Sequence, residues 1–321
     1  MSFRPTQIFT AMFVLGLLLA SSAFGQGETP LRVPEPQALP QSGTSVYVAT
    51  PPSRANFTTA AFGVKAPFKA DISKEARAQA ILAIPQQKLN ETAQRKVQKV
   101  LSDISMYRRL PIQVMPCEEE LFTFVTRHPD VVTNLWQLMN ASKIQVKELG
   151  AERFYLEDGA GTRGVIECLY RSERYVLIYV VGTYEGVPFP NKVKGNGLLI
   201  LQQVPTVNAE GQPQLAVRLD AFMHIDNAGV DRLVRSFQNL VGRVADHNFN
   251  QTVTFMSVLS RTVCYNGDGV KRLSERLDQV QPQVRKEFGD MAVRISTRIE
   301  NELQSRNSGD LPVPVELSAT P

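Results

Sequence analysis

The chain has 321 residues, 43% of them apolar and 21% charged, with a formal net charge of +4. These proportions exclude a wholly disordered chain, a collagen and a polytopic membrane protein, and three cysteines are too few to frame a disulfide-held fold. The sequence pI near 8.9 is mildly basic and no cationic patch is concentrated, so nucleic acid is not an expected partner.

In chain order, residues 1–25 read as a secretory leader. Arg4 supplies the positive start, and Ile8 to Ala20 supply an apolar run of 13 residues. Ala23 and Gly25 are the small residues that precede a cut ahead of Gln26. The run is too short to span a bilayer, and the longest later apolar stretch, Tyr175 to Val181, has strand length. The mature chain is therefore predicted to lack a transmembrane segment and to be exported to a periplasmic or extracellular space. Cys117, Cys168 and Cys264 allow one disulfide plus a free thiol, or three buried thiols.

Seven prolines between residues 26 and 67 mark 26–70 as a linker, and 306–321 as a second, disordered end. Between them, 71–108 reads as N-terminal helices. Asp71 or Ser73 can cap a helix from Lys74 to about Ile84, ended by Pro85. Asn90 to about Tyr107 is amphipathic, with Ala93, Val97, Val100, Leu101 and Ile104 on one face.

Residues 109–261 read as one domain. Leu110 to Met115 is a short strand, Pro116 starts a helix that ends near His128, and Pro129 opens another that stops at Asn140. Six strand-like segments follow: 143–149, 153–157, 165–170, 175–182, 197–204 and 214–225. Their short connections imply antiparallel pairing. A long helix then runs from about Ala228 to Leu259, with Gly242 inside it as a weak point or a kink. The last segment, 262–305, carries an apolar line over 270–303 that Pro282 should kink or split. That line can bury itself on its own domain or pair two chains as a homodimer.

The order from Leu110 onward is strand, helix, helix, six antiparallel strands, long helix. Such a helix must bury its stripe on one face of the sheet. This order resembles the helix-grip fold of START-type domains and their polyketide-cyclase relatives over about 110–261. The stretches His128 to Met139 and Leu219 to Asp226 carry the likeness, which extends to exported bacterial proteins of unassigned function. The fold class expected is α+β, a curved antiparallel sheet gripping a long C-terminal helix. The resemblance implies an apolar ligand, such as a lipid, held between sheet and helix. Leu177, Tyr179, Leu199, Leu201, Leu219, Met223, Phe237 and His247 are the candidate ligand-binding residues; Leu169, Leu215 and Val217 also belong to the sheet's apolar set. Packed core is the competing reading of each.

No catalytic, cofactor-binding or metal-binding residues are assigned. Gly159-Ala160-Gly161-Thr162-Arg163-Gly164 spells GxGxxG, but a strand follows it where a dinucleotide site needs a helix, so it reads as a turn. On the last strand, Arg218, Asp220, Phe222 and His224 alternate against Leu215, Val217, Leu219, Ala221 and Met223. The apolar set should meet the long helix, leaving the polar set solvated or covered by residues 74–107. His128 reads as a junction residue. His247 follows Asp246 on a helix, where neighbours point apart, so no dyad follows. Three functions stay open: an exported binding module for an apolar molecule, an interaction protein of the cell envelope acting through its C-terminal helix, and a cyclase-like or hydrolytic enzyme in the same cleft.

Overall fold

The computed structural model describes residues 69–186, 191–209, 212–226, 231 and 238–307. The leader, the linker up to Phe68, Phe237 and the tail from Ser308 lie outside the described residues.

Helix α1 (Lys74–Leu82) is capped by Ser73, whose hydroxyl accepts the Ala76 N–H at 3.1 Å, while Asp71 accepts the Ser73 N–H at 2.8 Å. The two candidate caps thus act in series. Helix α2 (Glu91–Ser102) is capped by Asn90, which accepts the Ala93 N–H at 2.8 Å. It ends before Tyr107, because Met106–Arg109 forms strand β1. Strand β2 (Gln113–Met115) follows after Pro111, which has no N–H for a ladder and so separates the two strands. Helices α3 (Glu119–Arg127) and α4 (Pro129–Leu138) come next, with Pro129 in the first turn of α4 and Asn140 at φ 53 beyond its end.

The six expected strands are β3 (Gln145–Gly150), β4 (Arg153–Glu157), β5 (Thr162–Ser172), β6 (Tyr175–Tyr184), β7 (Val193–Val207) and β8 (Pro213–Ile225). Together with β1 and β2 they make one antiparallel sheet in the order β1-β8-β7-β6-β5-β4-β3, with β2 also paired to β8. Bulges between Glu148 and Gly150 and between Cys168 and Tyr170 bend the sheet. Long helix α5 (Gln238–Tyr265) runs past the expected end at Leu259. Then come α6 (Gly267–Ser274) and α7 (Pro282–Asn307), with Pro282 starting the second helix, so the segment is split. This is the expected α+β class: a curved, open antiparallel sheet with N-terminal helices, a long C-terminal helix and extra helices.

The sheet is covered on both faces. On the inner face Leu199, Leu201, Leu215, Val217, Leu219, Ala221 and Met223 join Phe249, Val253 and Met256 of α5 and Leu121, Val125 and Trp136 of α3 and α4 in one core. Trp136 meets Phe255 edge-on at 5.5 Å, fixing α4 against α5. On the outer face Leu177, Tyr179, Leu198, Ile200 and Phe222 pack under Ala76, Ala80, Val97 and Val100 of α1 and α2. Each fully buried Leu or Phe contributes on the order of 2 kcal/mol. The covering of the Asp220 and Phe222 face by residues 74–107 follows the alternation in β8.

The apolar line of 270–303 is consumed within the chain. Val270, Leu277, Val280, Val284, Phe288, Met291 and Ile295 are all buried, and Phe288 stacks on Phe124 of α3 at 5.8 Å. Of that line Leu303 stays exposed. The expectation of a homodimer through 270–303 therefore loses its apolar surface. Among the described residues no helix is long and apolar enough to cross a membrane.

Candidate functional site

A cleft opens between the inner face of β4–β7 and the corner where α3 meets α4. Its walls are Val125, Thr126 and Pro129 from that corner, and Glu152, Phe154, Ile166, Cys168, Arg171, Ile178, Val180, Leu199 and Leu201 from the sheet side. About 50 Å³ there is open to the centre of a water molecule. That is room for a few waters or a chain end; a whole ring, of the kind a cavity of about 150 Å³ holds, needs the walls to yield.

The eight residues expected to bind ligand are distributed widely. Leu199 and Leu201 line the cleft. Leu219 and Met223 share the inner core without lining it. Leu177 and Tyr179 face the other way, under the N-terminal helices, and not into this cleft. The reason is register: Leu177 pairs with Ile200 and Tyr179 with Leu198, whereas Ile178 pairs with Leu199, and directly opposed residues share a face. His247 is exposed on α5, so it does not reach the cleft, and Phe237 lies outside the described residues. The long helix does not line the cleft among its described residues; the α3–α4 corner takes the place expected for it.

Three polar residues of the cleft had no clear signal in the sequence: Glu152, Cys168 and Arg171. Arg171 arrives there through the bulge. Cys168 pairs with Ile178 and Tyr170 with Leu177, so Leu169 is the extra residue. Leu169 and Tyr170 both turn to the outer cluster, and the alternation resumes with Arg171 inward. Strict alternation would put Arg171 on the outer face with Leu169. Glu152 arrives through a two-residue turn between β3 and β4. Ala151 and Glu152 hold φ values of 51 and 52, a left-handed conformation usual for Gly or Asn and uncommon for Glu. The Glu152 carbonyl is held there by the Cys168 N–H at 3.1 Å.

These groups bond one another. Arg171 donates from Nε to Glu152 Oε2 at 3.2 Å, from Nη1 to Thr126 Oγ1 at 3.2 Å, and from Nη2 to the Thr126 carbonyl at 3.1 Å. Burial raises the Glu152 carboxyl, but the Cys168 thiol and the Arg171 guanidinium outweigh it and hold the group below the usual carboxylate range. Burial, then the bond to Glu152, pushes the Cys168 thiol up to about 12. At neutral pH that sulfur is a thiol, not a nucleophilic thiolate. The arrangement is an apolar cleft with a charge-balanced polar end.

The remaining candidates lie elsewhere. Nδ1 of His224 donates to the Asp103 carbonyl at 2.7 Å, and Nε2 lies 3.2 Å from Asp226 Oδ1, away from the cleft. His128 stacks on Phe124 at 4.8 Å, and burial lowers its imidazole below the usual value. The GxGxxG spelling is a turn. Gly161 has φ 110, and a Cβ there would lie 2.2 Å from the Glu185 carbonyl oxygen, so only glycine fits. The three cysteines are free thiols. Among the described residues no group of three or more His, Cys, Asp and Glu gathers to hold a metal ion.

No protein-family model matches the chain, and neither does a curated protein. Among solved structures, a conserved protein from Geobacillus kaustophilus is 11% identical, with a TM-score of 0.34 and coverage of 46% of this chain and 93% of that one. Dicamba monooxygenase bound to dicamba is 14% identical, with a TM-score of 0.30 and coverage of 71% of this chain and 65% of that one. At these scores neither likeness bears on what the chain does.

Proposed function

We propose that the chain is an exported, non-enzymatic binding module for a small apolar molecule, built on a START-like helix grip. The observation that carries this reading is the cleft itself. Carbon-lined walls from β4–β7 and α3 meet a few convergent polar groups at one end, which is the usual make-up of a small-molecule site. Its size suits a chain end or the edge of a ring; a whole ring or lipid needs α3 and α4 to move outward. The raised Cys168 thiol supports binding over covalent catalysis.

The test is native mass spectrometry of residues 26–321 purified without detergent, followed by organic extraction and by addition of toluene. A reproducible added mass, or saturable toluene binding that shifts the methyl resonances of Leu199 and Leu201, is expected. A bare protein mass with no methyl shift overturns the reading. Export is tested separately, by N-terminal sequencing of chain recovered outside the cytoplasm; a mature start at Gln26 is expected.

A further inference from the structure

We propose that Glu152 sets the charge selectivity of the cleft: by occupying Arg171 it makes this a site for neutral apolar molecules and keeps carboxylic acids out. The inference rests on reading the cleft as a binding site. Arg171 is the cation among the cleft-lining residues, and its side chain is only 13% exposed. An inward arginine in a carbon-lined cleft would ordinarily recruit an anionic head group, with two parallel N–H bonds to a carboxylate.

Here that role is filled from within. The carboxylate of Glu152 accepts from Nε, and Thr126 accepts from both terminal nitrogens, through its hydroxyl and its carbonyl. The nearby Cys168 thiol, whose own hydrogen bond goes to the Tyr170 carbonyl at 3.5 Å, further favours the charged form of this carboxylate. A ligand carboxylate entering beside Arg171 would meet a fixed negative charge already seated there, and like charges at that range are repulsive. A hydroxyl or an amide would meet both a donor and an acceptor.

The backbone gives independent support. Glu152 holds a left-handed φ of 52 in a turn that Gly or Asn would occupy more easily. The Cys168 N–H holds the Glu152 carbonyl and Arg171 holds its carboxylate, so the left-handed position and the pairing of the cation belong to one arrangement.

The experiment compares benzyl alcohol with benzoate, two ligands with the same ring, at neutral pH. Binding is read from the methyl resonances of Val125, Ile166, Ile178 and Leu199 in the wild-type chain and in Glu152→Gln and Glu152→Ala. Wild type is expected to bind the alcohol about tenfold or more tightly than the acid, and both variants should gain about tenfold for benzoate while the alcohol, losing the Glu152 acceptor, weakens by a few-fold. Benzoate binding wild type as well as the alcohol does overturns the inference. So does benzoate affinity unchanged in both variants with the alcohol still bound; in either case the cleft remains a binding site. Absence of methyl shifts with either ligand overturns the binding reading and this inference with it. The wild-type comparison stands even where a variant fails to fold.

Discussion

Arg109 and Asp220 form an ion pair, Nε to Oδ1 at 2.7 Å, with side chains 6% and 1% exposed. The pair sits where the outer face of β8 meets α1. Arg109 also donates to Gln79 at 3.1 Å and to the Ala76 carbonyl at 3.3 Å, while Tyr107 donates to Asp220 at 2.7 Å. Removing one partner of a buried pair leaves an uncompensated charge, a larger loss than the pair's own net worth. Arg109→Met is expected to cost about 3 kcal/mol in urea unfolding, partly relieved by Arg218, which lies 3.7 Å from Asp220. Amide exchange should accelerate first in α1, because its two contacts to Arg109 are lost.

Gly242 lies under the guanidinium of Arg108, which pairs with Asp246 one turn further along α5. A Cβ at 242 would fall 2.4 Å from Arg108 Nη1. Alanine elsewhere in a helix gains about 1 kcal/mol over glycine. Gly242→Ala is therefore expected to show little net gain in the wild-type chain, and about 1 kcal/mol of gain when Arg108 is first changed to Ala. A double-mutant cycle measures that coupling, and additivity of the two changes would refute the steric account.

Asp130 stands in the first turn of α4, almost wholly buried, with Oδ1 lacking a hydrogen-bond partner. Burial, with some help from Glu148, raises its carboxyl to about 6. A folded value above the unfolded one means that the folded state binds the extra proton between roughly pH 4 and 6, so this residue's contribution to stability falls as pH rises through that window. Asp130→Asn should be more stable than wild type by about 1–3 kcal/mol at pH 7, with the gain vanishing near pH 4. The difference between the two chains in denaturant midpoints across that range isolates Asp130 from carboxylates that shift the opposite way.

Val125 borders the cleft from α3 and is nearly fully buried. Val125→Leu adds one methylene where space is open and replaces a β-branched helix residue. Stability should hold within about 1 kcal/mol, while affinity for toluene drops by about tenfold. Calorimetry together with thermal melting separates the two effects. Unchanged affinity would place the bound molecule somewhere other than this cleft.

The long strands and the helix order could be read from the sequence because β8 alternates cleanly. Arg218, Asp220 and His224, set against Val217, Leu219 and Met223, leave one choice of inner face. Strand β6 offers no such choice: Val176 to Val180 is apolar on both sides, and both sides are covered. The inner and outer residues of β6 follow only from its register with β7. Arg171 and Glu152 were illegible for a different reason. One depends on a bulge inside an ordinary-looking strand, the other on a turn whose glycine, Gly150, marks the bend but not that Ala151 and Glu152 take left-handed positions after it.

The pairing of β1 with β8 also dictates an order of assembly. Tyr107 and Asp220 are 113 residues apart in the chain, and α1, α2 and β1 find their partners mainly on β7 and β8. Synthesis proceeds from the N-terminus, so the N-terminal helices have no sheet to rest on until β6 and β7 are made, and β1 has no partner strand until β8 is. Their apolar face, Val97 and Val100 included, stays open to other proteins through that interval. Closure of the outer layer is thus a late event, and a chain truncated before residue 213 would leave β1 and β2 without the strand they pair with.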